Sequence, residues 1–483
     1  MYRLNLCVGI ALVFGFLSPA TPADPPSDKA SPPDYVKLAQ QTFDLLEVVE
    51  KRHLEPCTRQ EMLADGVHAF LEAIAAPAPD ELNAQLAEIK SPNQLATLLV
   101  ALWAKKTKDA KPDQLAAALF DGALARSPGD PHWVPPFQLK AIEQITNNRY
   151  VGTGIQISIN KEEKYIQIPI PYRNGPAYKA GVKPGDLILE VDGKDAKNAG
   201  IVEMVNWLRG EEGSTVTIVV RQPGATEKRM IRMIRSVVPF ETVQGFRQTP
   251  GGWDYRVDAA LPIAYIWINA IRSSTLHELR QLEARLRGEG IRAVVLDLRS
   301  NNTDGTIQHA ALVADGLLDS GNLWRIRDKD GKVKDFPADR ECLFRNWPMA
   351  VVVDKGTQDI AINAVAAALQ DQKRAVVVGE ASNYKGYVLE QIPLPNDNGA
   401  VFVPTGKLER APGKGWPLAP DVAVKLTDPQ REAVVEWFRR KALPELPAGA
   451  EEQTADDPQL ATAVKSVYKL LLKDELKEKG GND

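Results

Sequence analysis

Three side chains in the stretch 348–390 could take part in acid–base or nucleophilic chemistry: Thr357, Ser382 and Lys385. A lysine amine that has lost its proton can take one from a nearby hydroxyl, and that hydroxyl oxygen then attacks a carbonyl carbon. Thr357 lies before an alanine-rich run and Ser382 lies only three residues before Lys385. Either hydroxyl could act with the lysine only if the backbone around it were rearranged. Gln358 to Ala381 contains no Ser, Thr or Cys. The alternative is that Lys385 has no catalytic role and is a surface or structural lysine.

These side chains fall on loops of a predicted strand–helix–strand unit. Apolar runs at Ala350–Val353 and Ala375–Val378 are typical of buried strands, and the alanine-rich run between them is typical of a buried helix. Gly379-Glu380 then leads to Lys385-Gly386. Functional groups commonly lie on loops beyond strand ends, which is where this lysine is expected.

The same alternation occurs earlier in the chain. Ile263–Ile268 is typical of a buried strand, Leu276–Gly288 is an amphipathic helix, and Ala293–Arg299 is a further strand. Repeated strand–helix alternation predicts a largely parallel sheet with covering helices, which is an α/β fold.

A family resemblance rests on the stretch around the lysine. ALQDQKR at Ala368–Arg374, VVVGE at Val376–Glu380 and Lys385-Gly386 resemble the catalytic stretch of the carboxyl-terminal processing peptidases, or tail-specific proteases. In that family a serine is the nucleophile and a lysine after the Gly-Glu element is its general base. The resemblance places Lys385 at the lysine and Ile360 at the serine. An isoleucine offers neither a proton nor a lone pair, so it cannot act as a nucleophile.

Two further motifs differ from the family pattern. After Asp297-Leu298-Arg299 the family has Asn-Asn-Pro-Gly-Gly, where a glycine N–H helps to form the oxyanion hole. Here Thr303-Asp304 stands in place of Pro-Gly, before Gly305. An aspartate there would repel the anion, and one donor aimed at an oxyanion contributes roughly 3 to 4 kcal/mol. The glutamine that supports the family's lysine is matched here by Leu389.

From Tyr150 the pattern changes to short alternating strands with glycine turns. AGVKPGD at Ala180–Asp186, before the strand Leu187–Val191, resembles a PDZ domain of the kind inserted in these peptidases. Such domains bind a C-terminal peptide as an added strand and hold its carboxylate on backbone N–H groups. The alternative is a small β-domain without a ligand. The resemblance implies a carboxylate loop and a facing helix with these peptide-binding residues: Gly152, Thr153, Gly154, Ile155, Val202 and Val205.

The first residues indicate export. Arg3, the apolar run Leu6–Leu17 and the small residues Thr21-Pro22-Ala23 form the pattern of a secretory signal peptide. The apolar run is too short to span a bilayer comfortably. We therefore expect a protein of the periplasm or cell envelope, or a secreted protein.

Composition indicates a globular chain without nucleic-acid or membrane-spanning segments. The net charge is −4 and 44% of the residues are hydrophobic, with no basic patch and no second long apolar run. Cys57 and Cys342 would remain after export, and whether they pair stays open. The histidines are scattered and have no metal-ligand spacing to a cysteine, so neither a metal site nor a cofactor is expected. They are His53, His68, His132, His277 and His309.

These observations divide the chain into successive units. The resemblance gives the core a crotonase-like (ClpP-like) arrangement with an inserted α+β PDZ domain, and residues 77–125 look like an insertion in the helical region. Asp130–Pro135 resembles the turn before the PDZ domain. The predicted units are a signal peptide at 1–23, a proline-rich linker at 24–34, an N-terminal helical region at 35–147, the PDZ domain at 148–237, the α/β core at 238–443, and a polar linker with a C-terminal helix at 444–483.

Three functional hypotheses remain. The favoured one is an exported, catalytically degenerate tail-specific-protease-like protein that binds protein C-termini through its PDZ groove. It would act as an adaptor, a scaffold or a competitor for substrates, and could form a homo-oligomer. The alternative is an active serine-type endopeptidase with a displaced nucleophile, Thr357 or Ser382. The third is a structural envelope protein without a ligand site.

Overall fold

The computed structural model describes residues 34–108, 110, 112–147, 151–173, 175–238, 240–249, 252–301, 305–339, 342–357, 359–441 and 456–480. The predicted signal peptide, Thr303 and Asp304 lie outside these ranges.

The N-terminal part is helical and shares its apolar core with the rest of the protein. Its elements are α1 (Tyr35–Arg52), α2 (Arg59–Ala73), α3 (Leu82–Ala87), α4 (Pro92–Trp103), α5 (Pro112–Leu124), β1 (His132–Val134) and α6 (Pro136–Thr146). The predicted insertion forms α3 to α5, and Leu95 and Leu119 pack in the same core as α1. Leu394 and Val401 of a later hairpin join this core. The helices are therefore fixed to the α/β part.

The segment predicted as a turn before the PDZ domain contains a strand instead. His132 to Val134 pairs antiparallel with Phe402 to Ala400. The prediction was wrong because the partner strand lies far along the chain, so nothing local in the sequence marks the pairing.

The next part has the strand order of a small sheet domain. Its elements are β2 (Val151–Gly152), β3 (Ile155–Asn160), β4 (Tyr165–Pro171), α7 (Pro176–Lys179), β5 (Leu187–Val191), β6 (Lys194–Asp195), α8 (Ile201–Leu208), β7 (Thr215–Arg221), β8 (Arg229–Ile234) and β9 (Ser236–Val237). The sheet order is β3-β4-β5-β7-β8, with β6 on β5. Asp186 fixes the turn before β5, because its buried carboxylate accepts the N–H of Lys183 and pairs with Arg229.

The α/β part contains the remaining elements. They are β10 (Val243–Gln244), β11 (Arg247–Thr249), β12 (Gly252–Asp254), β13 (Ile263–Ile268), α9 (Thr275–Gly288), β14 (Ala293–Asp297), α10 (Ile307–Asp315), β15 (Asn322–Asp328), β16 (Val333–Pro337), β17 (Met349–Val353), α11 (Ile360–Asp371), β18 (Val376–Gly379), β19 (Tyr387–Pro393), β20 (Ala400–Glu409), β21 (Val422–Ala423), α12 (Asp428–Lys441) and α13 (Pro458–Gly480). The central sheet has the order β10-β13-β14-β17-β18-β21. Pairings from β13 to β21 are parallel and β10 is antiparallel, which confirms the predicted largely parallel sheet. A second, antiparallel sheet has the order β1-β20-β15-β16, with β19 on β20.

Both faces of the parallel sheet are covered, as its continuous apolar strands require. On one face α9, α10 and α11 pack against residues such as Ile266 and Val351. On the other face α12 and α13 pack against Tyr265 and Val352. Because neighbouring parallel strands end at one edge, the loops after β14 and β17 meet there. Cys57 and Cys342 are both free thiols.

Candidate functional site

The position predicted for a nucleophile lies where α11 begins, at the carboxyl edge of the parallel sheet. Asp359 is the N-cap of α11, and its Oδ1 accepts the N–H of Ile362 at 2.9 Å. Ile360 is the first helical residue, and its half-buried side chain packs against the main core. Ile362 is fully buried. The start of α11 therefore presents an apolar side chain and a capping carboxylate.

Asp359 also binds the neighbouring loop. Its Oδ2 accepts the N–H of Gly305 at 3.1 Å, and the side chain is buried. Gly305 must be a glycine, because an added Cβ would lie 2.7 Å from Asp359 Oδ1 and 2.6 Å from Ala361 Cβ. Burial raises the pKa of Tyr384 well above its ordinary value, and the charge of Asp359 raises it further. One backbone donor from the loop before α10 and one from the first turn of α11 thus converge on one internal carboxylate.

The two hydroxyls nearest the predicted position are both buried. Thr357 Oγ1 accepts the N–H of Asp354 at 3.2 Å and lies 3.3 Å from both Leu298 O and Asp354 Oδ1. Ser382 is only 1% exposed, and its hydroxyl has no hydrogen-bond partner among the described residues. Neither oxygen is placed where a substrate could reach it.

Lys385 lies in a different environment, because its side chain is exposed to solvent. Burial lowers the pKa of neighbouring Lys407, and the positive charge of Lys385 lowers it further. Leu389, the predicted replacement for the supporting glutamine, is half-buried in β19 and pairs with Pro404 of β20. The Lys385 side chain is therefore exposed to water and close enough to Lys407 for the two charges to interact, while the carboxylate of Glu55 opposes this effect on the pKa of Lys407.

The predicted carboxylate loop joins β2 to β3. The carbonyls of Thr153 and Gly154 accept the N–H groups of Ala177 and Tyr172, each at 2.8 Å. Within the part of the chain that the structure describes, the N–H groups of Thr153 and Gly154 have no hydrogen-bond partner. Gly154 has a φ of +73°, which favours glycine. Since Thr153 is buried, and buried N–H groups are rarely left without a partner, the loop is suited to receiving an acceptor.

The facing helix is α8. Val205 is half-buried and packs against the same domain core as Ile155 of β3. Val202 lies in α8, but its side chain is outside the described residues.

Sequence reasoning missed Asp359, whose carboxylate contacts both loops of the edge. An aspartate immediately before an apolar helical run is an N-cap pattern, so its bond to Ile362 could have been predicted. Its bond to Gly305 could not, because 54 residues separate the two. Among the described residues there is no group of His, Cys, Asp and Glu that could hold a metal ion.

Comparison with known proteins adds the family. Residues 262–424, which contain Gly305, Asp359, Ile360 and Lys385, match peptidase family S41, and residues 171–222 match the PDZ domain. The family match therefore covers the α/β part of the chain, residues 262–424. The PDZ domain precedes the S41 region, as in the resemblance found from sequence.

The curated relatives below match a little over half of this chain, and the chain spans less than two thirds of the length of each relative. The carboxyl-terminal-processing protease of Picosynechococcus sp. is 29% identical over 274 residues, 57% of this chain and 63% of the relative. The chloroplastic C-terminal processing peptidase of Tetradesmus obliquus is 30% identical over 276 residues, 55% of this chain and 58% of the relative. The solved photosystem II D1 C-terminal processing protease has a TM-score of 0.38 at 25% identity, covering 81% of this chain and 100% of that chain.

Proposed function

We propose that this protein is exported, binds protein C-termini through its PDZ domain and does not hydrolyse peptide bonds. The observation that carries the proposal is the hydrogen bond from Gly305 N–H to Asp359, next to Ile360. At this place the family's nucleophile position holds an isoleucine, Ile360, and the neighbouring backbone donor, Gly305 N–H, is already bound to Asp359.

The first support is the side chain at the start of α11. Ser-Lys chemistry needs a hydroxyl within hydrogen-bond reach of an uncharged amine. Ile360 supplies a hydrocarbon side chain that packs against the core instead. The position is therefore used for packing.

The second support is electrostatic. Attack on an amide builds negative charge on the carbonyl oxygen, which needs backbone donors aimed at it. Here the N–H groups of Gly305 and Ile362 already donate to Asp359. A substrate oxygen would have to displace a carboxylate and would be repelled by its charge.

The third support is the exposure of the lysine. Burial is what drives a lysine toward its uncharged form, because it penalises the ammonium. The Lys385 side chain is exposed to water. The position therefore lacks the burial that a lysine general base would need.

Peptide binding is supported by the PDZ loop. A terminal carboxylate can accept the N–H groups of Thr153 and Gly154, whose carbonyls are already bound. Ile155 and Val205 both pack at the margin of the domain core as half-buried apolar side chains, which favours an apolar last residue in the ligand.

The alternative, an active endopeptidase with a displaced nucleophile, is not favoured by the positions of the hydroxyls. Thr357 is fully buried and its oxygen accepts a backbone N–H, and Ser382 is also buried. Either would have to leave the interior to reach a substrate.

Export is proposed from the predicted signal peptide, which lies outside the described residues. Within the described ranges, no helix combines the length and apolarity that a membrane crossing requires. The periplasm, the cell envelope or the medium would be the place where it meets its ligands.

The proposal is tested by exposing the purified protein to a fluorophosphonate probe and, separately, to a peptide with an apolar C-terminal residue. Binding of the peptide by calorimetry without labelling by the probe is expected. Labelling would overturn the proposal, and Thr357→Val and Ser382→Ala variants would then show which hydroxyl reacts. Absence of peptide binding would remove the proposed PDZ function while leaving the loss of catalysis standing.

A further inference from the structure

A buried lysine ends α12 on the face of the sheet opposite α11. Lys441 is 6% exposed, and its Nζ is enclosed by aromatic rings that we name the aromatic box. The distances from Nζ to the ring centroids are 4.4 Å for Tyr265 and Trp437, 5.1 Å for Trp267, 5.7 Å for Trp253 and 6.0 Å for Phe438.

The amine has no hydrogen-bond partner in the described part of the chain. Rings attract a cation through their faces, but they do not replace the hydrogen bonds that an ammonium makes with water. Burial lowers the pKa of Lys441 well below its ordinary value, while Asp297 raises it and Arg299 lowers it. The uncharged amine is therefore the form that fits the aromatic box.

The charged groups around the aromatic box already have partners. On the β14 side, Asp297 is bound by Arg299 and by the hydroxyl of Tyr265. Arg299 also pairs with Asp457, which precedes α13. Glu241, in the segment before β10, accepts a hydrogen bond from Trp253 Nε1. Glu436 of α12 pairs with Arg439 and Arg440. None of these groups makes a hydrogen bond to the Lys441 amine.

We propose that Lys441 is a pH-sensitive latch that fastens the end of α12 to the parallel sheet. The uncharged amine stays in the aromatic box, and on protonation it leaves for water and frees the last turn of α12. Because opening takes up a proton, acid favours the open form and alkali favours the closed form. The inference does not rest on the proposed function.

The test is amide hydrogen exchange of residues 434–441 in the full-length protein and in Lys441→Met, measured at several values between pH 6 and pH 9. Comparing the two proteins at each pH removes the intrinsic pH dependence of exchange. The ratio of the wild-type rate to the Met rate should rise as the pH falls, by up to about tenfold for each pH unit between the lowered and the ordinary pKa of the lysine. A ratio that does not change with pH would overturn the latch.

Two variants control for general effects. Arg439→Met removes an exposed cation from the same turn and should leave the pH dependence of wild type unchanged. Lys441→Arg keeps its charge at every pH and should exchange rapidly throughout the range. Slow exchange in Lys441→Arg would show that the aromatic box accepts a permanent cation and would contradict the latch. Circular dichroism establishes that each variant is folded.

Discussion

Two places in this protein have backbone N–H groups that could bind an acceptor: the PDZ loop and the start of α11. They differ in whether those N–H groups already have a partner. In the PDZ loop the carbonyls of Thr153 and Gly154 are bound, while their N–H groups have no partner among the described residues. At the start of α11 the N–H groups of Gly305 and Ile362 are already held by Asp359. The same backbone chemistry therefore supports ligand binding at one site and internal stabilisation at the other.

This difference supports the proposed combination of peptide binding with loss of turnover. A capping aspartate at α11 stabilises the helix and joins two loops, which favours a rigid edge of the sheet. The donors bound there are the N–H groups of Gly305 and Ile362. Among the described residues, no carboxylate accepts the N–H groups of Thr153 and Gly154, so these two donors are available to a ligand.

The largest effect is expected from removing the internal carboxylate. Asp359→Ala loses the N-cap of α11, worth about 1 kcal/mol, and leaves the half-buried donor of Gly305 without this partner, which costs about 1 to 3 kcal/mol. We expect the free energy of unfolding to fall by roughly 2 to 4 kcal/mol in denaturant titration.

Asp34 provides a matched control for that substitution. It caps α1 through one exposed bond to Lys37 N–H at 3.0 Å. Asp34→Ala should therefore cost only about 1 kcal/mol. Equal losses for the two variants would show that the contact between Asp359 and Gly305 contributes little.

Peptide binding should change nearly as much when the PDZ loop or its ligand is altered. Amidating the C-terminus removes the charge, and hydrogen bonds to charged groups contribute about 1.5 to 3 kcal/mol, so affinity by calorimetry should fall roughly 10- to 100-fold. Gly154→Ala should also weaken binding, because its φ is +73° and the added Cβ would lie 3.2 Å from Gly175 Cα.

Gly193→Ala is the matched control for the loop variant. Gly193 has a φ of +80° but no atom within 4 Å of an added Cβ, so the substitution brings similar backbone strain in a different turn, between β5 and β6. It should leave peptide affinity unchanged. Equal affinity for the acid and amide peptides would show that the PDZ loop does not bind the terminal carboxylate.

A smaller effect is expected at Ile360. Full burial of an isoleucine contributes roughly 1.5 to 3 kcal/mol, and this side chain is only half-buried, so Ile360→Ser should lower the free energy of unfolding by about 1 kcal/mol. Ile362→Ser, at a fully buried position, should lower it more. An unchanged or raised midpoint for Ile360→Ser would show that Ile360 does not stabilise the edge.

Local patterns predicted most of the parallel sheet. The strand Ile263–Ile268 has the predicted bounds, and the helix predicted at Leu276–Gly288 begins one residue earlier, at Thr275. These elements carry strong periodic patterns of their own. The strand at His132–Val134 was missed because its stability comes from pairing with β20.

The sequence shows which residue types occupy the candidate site, but it does not show which of those residues contact one another. The sequence indicates that Ile360 cannot be a nucleophile, and it places Lys385 on a loop. It does not show that Asp359 reaches Gly305, or that Lys441 is enclosed by the aromatic box, because rings from β12, β13 and α12 form that box. Such contacts arise only when distant elements pack together.

The most direct test is cleavage of an unfolded protein with an apolar C-terminus, followed by intact-mass spectrometry. It compares wild type, Ile360→Ser, and a variant that also carries Thr303→Pro, Asp304→Gly and Leu389→Gln. Residues that act as a catalytic unit are strongly non-additive, so restoring one hydroxyl should recover little while Asp359 still holds the donors. We predict that the substrate stays intact with wild type and with Ile360→Ser. Turnover by Ile360→Ser would show that the donors are available to a substrate, and robust turnover by wild type would contradict the account.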